Sequence, residues 1–318
     1  NYNNTKENKM NKLQKVGLTA LATSLVASSA YAGELSVSGG ASISYTGLST
    51  SAGSNPWAMG NSVTFNGSGE LDNGTTFSAY WELDNDVMDD YNMTFGLPND
   101  MGSIKFIGDS GLAGGLSTVN NIVPTAYTAV FETTDSDDNG VATSTLATNA
   151  QWGYTYSGID GLSASVAYNK RPAAGEKAAT HYGVSYDVSG MDGLKIVGGM
   201  GEDGSENDIE TYGLSYTYDK ISIGYQKTEI ELNTGNNDES GTHMGVSLVV
   251  NDDFSISIGQ QETDFGTAVM DEENTGYSAS YTMGGMTIGY AFNEVKNPAG
   301  SSSADDIEAS ILNLSFAF

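Results

Sequence analysis

Apolar and polar residues alternate along most of this chain, and that period of two constrains the fold more than any other feature. In the first such segment, residues 35–46, apolar side chains and glycine fall on one parity, and Ser, Thr and Gly fall on the other. Successive side chains of a β-strand point to opposite faces, so the pattern predicts strands with one apolar and one polar face. No stretch of comparable length has the 3.6-residue period of a helix. The chain is therefore expected to be all-β.

Sixteen segments show this alternation, and the connections between them alternate in length. Seven connections are short and rich in Gly, Asn and Asp, the residues that hairpin turns require. The others are longer and mostly acidic, and the longest, the third long loop, covers residues 109–150. Short turns at one end and long loops at the other predict an antiparallel, up-and-down arrangement of 16 strands.

The N-terminal segment has the features of a secretory signal peptide. Lys12 and Lys15 precede a short apolar stretch at residues 16–27, and residues 30–32 read Ala-Tyr-Ala, a typical cleavage sequence. The alternative, an N-terminal anchor helix, is disfavoured because the apolar stretch is too short to span a bilayer. We expect residues 1–32 to be removed, which leaves residues 33–318 as a single domain that is exported from a bacterial cytoplasm.

The composition excludes several classes of protein. The chain has no cysteine, 12 Lys or Arg and 40 Asp or Glu, with a formal net charge of −28. The lack of Cys excludes a disulfide framework and a thiolate nucleophile, and the shortage of basic residues argues against nucleic-acid binding. No nucleophile elbow, phosphate-binding loop or dinucleotide fingerprint occurs. The sequence therefore predicts neither an enzyme nor a cofactor.

Strands with one apolar and one polar face fit either a β-sandwich in water or a barrel in a membrane. The small, hydrophilic polar faces suit a water-filled lumen. Tyrosines of the apolar parity lie in two sets, one near the short turns and one near the long loops, as bilayer interfaces select. An even number of strands also allows closure without edges, which lipid requires. These features favour the barrel, and a soluble sandwich is the alternative. The two sets are Tyr156, Tyr186, Tyr218 and Tyr281, and Tyr45, Tyr168, Tyr225, Tyr290 and Phe292.

The last predicted strand alternates to a terminal aromatic residue. Its apolar parity is Leu312, Leu314, Phe316 and Phe318. With the signal peptide and the alternating strands, this ending resembles Gram-negative outer-membrane β-barrels, whose assembly machinery recognises such a strand. Sixteen strands with one very long third loop resemble the trimeric general diffusion porins, as do residues 149–158 after that loop. The Pro-Glu-Phe-Gly-Gly stretch and the Arg-rich wall of one porin branch are absent, and only Pro124 stands in that region.

The resemblance implies a transmembrane 16-stranded β-barrel in the bacterial outer membrane, with a third loop that folds inward and narrows the lumen. It also implies a homotrimer in contact with outer-membrane lipid and lipopolysaccharide. The alternative for the third loop is an extracellular flap. In porins, carboxylates of the inward loop face a basic wall and create a transverse field.

Here the predicted wall has few basic residues, since only Lys105 and Lys195 are expected at mid-strand on the inward parity. The inward side chains Glu70, Glu82 and Asp84 are acidic, so the lumen is predicted to favour cations. The remaining lumen candidates are Tyr80 on the inward parity, and Asp109, Glu132, Asp135, Asp137 and Asp138 in the third loop. The loop carboxylates alternatively form a solvated acidic tip. His181 and His243 are interpreted as isolated polar residues that face the lumen.

A calcium-binding motif begins within the third loop. Residues 135–140 read Asp-Ser-Asp-Asp-Asn-Gly, which places Asp135, Asp137 and Asn139 as the first ligands of a calcium loop. The twelfth position is Leu146 rather than the bidentate Glu. The motif therefore predicts at most weak, structural calcium binding.

Small residues mark the outward face of the first strands. Gly39, Ala41, Gly67 and Gly69 lie on the apolar parity, and small residues allow close approach between membrane-embedded elements. We predict that they form part of a trimer contact, and the alternative is that they are strand glycines without a contact role.

These observations together predict a passive, water-filled, cation-preferring porin for small hydrophilic solutes and ions. One alternative is a substrate-selective porin, for which the inward Tyr80 is the single aromatic candidate. The other is a non-conducting outer-membrane barrel with a structural or adhesin role.

Overall fold

The protein is a closed barrel of 16 antiparallel strands in the computed structural model, which describes residues 33–50, 55–84, 87–108, 113–128, 150–170, 175–234, 238–266, 268 and 270–318. Each strand pairs with its neighbours in sequence, and β1 pairs with β16. The predicted all-β, up-and-down, 16-stranded architecture is confirmed. Residues 1–32 lie outside the described residues, so the signal peptide stays a prediction.

The strands are β1 (Leu35–Leu48), β2 (Trp57–Glu70), β3 (Thr76–Asp84), β4 (Val87–Gly96), β5 (Ser103–Ile107), β6 (Gln151–Ile159), β7 (Leu162–Asn169), β8 (Ala179–Asp187), β9 (Leu194–Glu202), β10 (Asp208–Tyr218), β11 (Ile221–Glu231), β12 (Glu239–Asn251), β13 (Phe254–Asp264), β14 (Glu272–Met283), β15 (Met286–Lys296) and β16 (Ile307–Ala317). Within the described residues, the 3-10 helix Gly115–Thr118 and the short turn Pro298–Gly300, which contains Ala299 at φ 53°, lie in long loops. Among the described residues, no helix combines the length and the apolar character that a bilayer span needs.

The chain terminus closes the barrel. Gly39 and Phe318 exchange both backbone hydrogen bonds, with N···O distances of 2.8 and 3.0 Å. Closure leaves no unpaired strand edge, so the backbone groups of every strand find partners within the sheet. The alternating ending that the sequence shows therefore forms the seam of the barrel.

The apolar parity of the strands faces outward. Val37 and Met59 are 59% and 68% exposed, and large apolar side chains of the other strands are similarly exposed on this face. A continuous apolar outer surface is what the acyl chains of a bilayer cover. The buried apolar cluster of Leu116, Val119, Ile209 and Ile230 joins the third loop to the polar parity of β10 and β11. The apolar parity of the strands thus faces outward and the polar parity faces the lumen, as the sequence predicts.

Aromatic residues lie on the outward face toward both ends of the barrel. Tyr218 and Tyr281 are exposed near the short turns, and Tyr168 and Trp57 are exposed near the long loops. The prediction that Tyr290 lies near a long loop is wrong, because it lies close to the middle of β15. Tyr277, also outward, stacks on the ring of Phe292 at a centroid distance of 5.4 Å. Two such belts mark the bilayer interfaces.

The short turns need a left-handed backbone. Asp219 and Lys220 join β10 to β11, and Asp219 has φ 52°. Two-residue hairpins require positive φ because such turns match the twist of the flanking strands, and Asp tolerates it.

Candidate functional site

Residues 113–128, called the loop segment below, lie against the inner wall of the barrel. The segment belongs to the third long loop and crosses β6 to β15, where it contacts the polar parity of each strand in turn. Its first part forms the 3-10 helix Gly115–Thr118. The opposite parity of the same strands carries the exposed apolar residues, so the segment occupies the lumen side.

Side chains of the wall hold the backbone of the loop segment. A backbone N–H that is removed from water needs a partner, and a segment without sheet pairing must find it among side chains. Six such bonds donate from the segment: Ala113 N to Gln151 Oε1 at 2.5 Å, Gly115 N to Ser165 Oγ at 2.9 Å, Leu116 N to His181 Nδ1 at 3.1 Å, Ile122 N to Gln226 Oε1 at 3.3 Å, Ala126 N to Ser257 Oγ at 2.9 Å and Tyr127 N to Ser278 Oγ at 3.1 Å. The anchors come from β6, β7, β8, β11, β13 and β14, so they follow the segment across most of its length.

An apolar contact adds to these anchors. Leu116 is fully buried and Val119 is 1% exposed, and both pack against Ile209 and Ile230. Ile209 and Ile230 lie on the inward parity of β10 and β11. Burial of a whole Leu side chain contributes about 1.5–3 kcal/mol, so this cluster ties the segment to the wall independently of the hydrogen bonds.

The inner face of β16 and β1–β5, called the open wall below, has a different surface. Its inward side chains are mainly Ser, Thr and Asn, and a cavity of about 340 Å³ lies against it. The inward parity also carries Glu82 and Asp84 on β3 and Asp90 on β4, whereas Lys105 on β5 supplies a positive charge. The inward polar residues in the lining of that cavity are Ser42, Ser62, Glu82, Asp84, Asn313 and Ser315.

The two sides of the lumen differ in charge. Residues 113–128 contain no Asp, Glu, Lys, Arg or His. Among the described residues, the open wall carries four inward carboxylates, those of Glu70, Glu82, Asp84 and Asp90, and the amine of Lys105. Glu70 lies at the short-turn end, and the other three lie further along the barrel. The sequence predicted acidic side chains on the wall as well as in the third loop. The structure places Glu70, Glu82 and Asp84 on the inward parity of β2 and β3, and the loop carboxylates lie outside the described residues.

The predicted lumen residues on β3 lie near the middle of the strand. The Tyr80 hydroxyl donates to Glu82 Oε2 at 2.5 Å, and both side chains lie on the inward parity. Lys105 lies at the centre of β5, directly paired in register with Gly153. Gly153 is the residue of β6 that Ala113 covers, so Lys105 lies at the boundary between the open wall and the loop segment.

Two other predicted residues lie at the short-turn end. Glu70 is the last residue of β2. Lys195 is the second residue of β9 and pairs with Asp187 Oδ1 at 3.5 Å. The expectation that Lys195 lies at mid-strand is therefore wrong. The cause is local: the turn at residues 188–193 ends two residues before Lys195, so Lys195 lies at the short-turn end of β9.

The remaining loop candidates cannot be placed. Asp109, Glu132, Asp135, Asp137, Asp138 and Asn139 lie outside the described residues. The predicted calcium loop, including its Leu146, is outside them as well. Within the part of the chain that the structure describes, no group of three or more Asp, Glu or His side chains could hold a metal ion.

The predicted trimer residues face outward but are partly covered by their own chain. A Cβ at Gly39 would lie 2.7 Å from the ring of Phe318, and one at Gly69 would lie 2.7 Å from the ring of Phe77. At Gly67 the nearest atom is on the ring of Trp81, at 4.0 Å. Rings that lie over strand glycines fill the space that a side chain would take. The trimer contact, with Ala41 as its fourth residue, stays a prediction.

Sequence reasoning missed the residues that anchor the loop segment. His181 was interpreted as an isolated lumen residue, but its Nδ1 accepts the Leu116 N–H and its Nε2 lies 3.3 Å from Gln151 Nε2. His243 lines a small cavity with Val123 and Pro124. One sequence signal could have identified these anchors: Gly, Ser, Gln and His recur on the inward parity of successive strands at similar distances from the short turns.

A closed barrel with an apolar outer surface, two aromatic belts and a loop segment inside defines the class of outer-membrane channel proteins. The chain belongs to the Gram-negative porin family, whose model matches residues 17–317. It is thus a porin of a bacterial outer membrane.

Solved structures share this fold at low sequence identity. OmpT, an outer membrane protein of Vibrio cholerae, has a TM-score of 0.70 in a form with loop L8 deleted, at 11% identity over 90% of this chain and 100% of that chain. Its trimer form has a TM-score of 0.66 at 11% identity, with the same coverage of both chains. An anion-selective porin from Comamonas acidovorans has a TM-score of 0.65 at 13% identity, over 90% of this chain and 99% of that chain. No curated protein matches the sequence closely enough to count as a relative.

Proposed function

We propose that this porin is a passive, water-filled channel for small hydrophilic solutes and ions and that it favours cations. Solutes pass between the loop segment and the open wall, and size exclusion at that gap limits them. No covalent chemistry and no cofactor take part in this function. The observation that carries the proposal is the charge of the open wall, where, among the described residues, four inward carboxylates outnumber one amine, while the loop segment is neutral.

The physical basis of the preference is electrostatic focusing. In a channel with low-dielectric walls, a few charges at the narrow part change the local ion concentration more than many charges at the mouths. Glu82 and Asp84 lie on the lumen side of β3, where they line the open wall with Ser62. They attract cations to the gap and repel anions from it.

The fold alone does not decide the sign of the preference. The anion-selective porin from Comamonas acidovorans shares this barrel architecture. The selectivity of such a barrel therefore depends on the side chains in its lumen, and those on the open wall here are mainly acidic.

We also propose that the functional unit is a homotrimer in outer-membrane lipid and lipopolysaccharide. The trimer form of the Vibrio cholerae OmpT structure supports this state for a barrel of the same fold. The outward apolar surface of each barrel then contacts either lipid or a second copy of the chain.

The deciding experiment is zero-current potential in a KCl gradient across a planar bilayer that contains the purified protein. A dilute side that becomes positive shows cation preference, and a dilute side that becomes negative overturns it. A current that a specific solute blocks supports the substrate-selective porin, for which Tyr80 is the candidate contact. Absence of any current supports a non-conducting structural or adhesin barrel.

A further inference from the structure

Besides the Gln, His and Ile side chains described above, the wall under the loop segment presents a glycine or a serine on every strand. Of the ten strands β6–β15, seven present glycine where the segment crosses and the other three present serine. The seven glycines are Gly153, Gly183, Gly199, Gly213, Gly224, Gly245 and Gly289, and the three serines are Ser165, Ser257 and Ser278. We call these ten residues the groove.

The groove glycines leave no room for a side chain because the loop segment fills it. A Cβ at Gly224 would lie 2.5 Å from Pro124 Cδ and 2.9 Å from Val123 Cα. A Cβ at Gly245 would lie 2.7 Å from Val123 Cγ1. On β6, the first strand of the groove, a Cβ at Gly153 would overlap the carbonyl of Ala113.

Glycine in a strand interior has a cost, since it brings no side chain to pack and loses the most backbone entropy. Glycine nevertheless recurs on successive strands at the point where the loop segment crosses them. The close approach of the segment's backbone to the wall explains this recurrence. The serines add the hydrogen-bond acceptors that the segment needs. Glycine allows the loop segment to approach the wall closely, and serine accepts hydrogen bonds from its backbone, so both residue types hold the segment against the wall.

We infer that the groove residues are the positioning residues of the constriction: they hold the loop segment at one fixed distance from the open wall and so set the width of the pore. The segment is part of the wall and does not swing as a gate. This inference rests on the proposed channel function and adds to it the residues that determine the size limit.

The first test replaces a groove glycine. In Gly224→Val, the new side chain meets the backbone of the segment, which must move toward the pore axis. We expect single-channel conductance to fall by about twofold or more, with added open-channel noise, since conduction through a narrow gap depends strongly on its width. The matched control is Gly198→Val, because Gly198 faces outward on β9 and its nearest neighbour to a new Cβ is 3.9 Å away.

A second control separates added volume from displacement of the segment. Gly40 lies on the inward parity of β1, where a Cβ would be 3.6 Å from Ser62 Oγ and would meet no backbone atom closer than 3.7 Å. Gly40→Val should lower conductance slightly without added noise. Equal conductance and noise in Gly224→Val and wild type would overturn the inference, and so would a change in Gly198→Val as large as in Gly224→Val.

The third test is independent of whether Gly224→Val folds. The chain has no cysteine, so a disulfide between Val123→Cys and Gly245→Cys has no competitor. The 2.7 Å between the Gly245 Cβ position and Val123 Cγ1 is close to the roughly 3 Å between a Cβ and the partner sulfur of a disulfide. The Gly245→Cys side chain itself displaces the segment slightly, so the quantity compared is the frequency of spontaneous closures. We expect the bond to form on oxidation and to leave that frequency the same as in the reduced protein.

Failure of the disulfide to form, or spontaneous closures that oxidation abolishes, would contradict a fixed segment. The two proposals fail in distinguishable ways. If the wild type carries no current, the channel function is wrong, while disulfide formation still reports whether the segment lies in the groove.

Discussion

The two halves of the lumen wall are built from the same kind of strand but present different surfaces. Behind the loop segment, β6–β15 offer glycine, serine and amide side chains that seat a second layer of chain. The open wall on β16 and β1–β5 offers hydroxyl, amide and carboxylate groups to the solvent. One half is therefore built for packing and the other for contact with permeating solutes, although both have the same alternation of apolar and polar residues.

This difference implies that substitutions on the two halves affect different properties. A change in the half that holds the loop segment should alter stability and pore width. A change on the open wall should alter ion selectivity and leave stability almost unchanged.

Leu116→Ala should have the largest effect on stability. Leu116 is fully buried between the loop segment and the wall, and loss of a buried Leu side chain costs about 2–5 kcal/mol. Denaturant unfolding in detergent measures the change. Ser42→Ala on the open wall is the control and should stay within about 0.5 kcal/mol. Equal effects at the two positions would contradict the division of the wall.

His181→Ala should have the next largest effect on stability. It leaves the buried N–H of Leu116 without the acceptor that lies 3.1 Å away, and an unsatisfied buried group costs about 1–3 kcal/mol. His181→Asn keeps an acceptor at the δ1 position and should restore most of the loss. If both variants unfold alike, the imidazole acts through its volume and not as an anchor.

Glu82→Gln combined with Asp84→Asn should change selectivity and not stability. Loss of two of the four described wall carboxylates, both away from the short-turn end, should lower the cation-to-anion permeability ratio by about two- to tenfold. The matched control is Glu70→Gln, at the short-turn end of β2, which should change the ratio less. A ratio that is unchanged in the double variant would show that selectivity arises elsewhere, for instance from loop carboxylates at residues 132–138.

Lys105→Gln should have the smallest effect. Lys105 lies at the boundary of the two halves, paired in register with Gly153, and is the positive charge closest to the wall carboxylates along β3–β5. Its loss should raise the cation-to-anion ratio by less than about twofold, and the change should shrink at high salt as the charge is screened. Potentials measured at 0.1 M and 1 M KCl test both statements, and a fall in the ratio would contradict them.

The fold could be predicted from sequence to a large extent because its signals are local. Alternation at residues 35–46 gives the direction of each side chain without knowledge of any partner strand. Short turns such as Asp219-Lys220 are recognisable because positive φ restricts which residues form them. The position of a side chain along the barrel axis was less certain, because parity gives only the face on which it lies, and for that reason Lys195 was misplaced toward the middle of β9.

The candidate site was predictable only in part. The inward parity identified Tyr80, Glu82 and Lys105 as lumen residues, and the structure places them on the inward parity of β3 and β5. The anchors were missed because Gln226 and Ile122 are 104 residues apart in sequence. No local pattern reports a contact at that distance.

The order of residues along the chain alone determined the number of strands, the face that each side chain takes and the surplus of negative charge. These depend on backbone geometry and composition, which act over a few residues. Only the tertiary structure decided which inward glycines lie beneath the loop segment and which carboxylates remain open to the lumen. Barrel closure and the path of the segment bring those residues together, and both are set by contacts between distant parts of the chain.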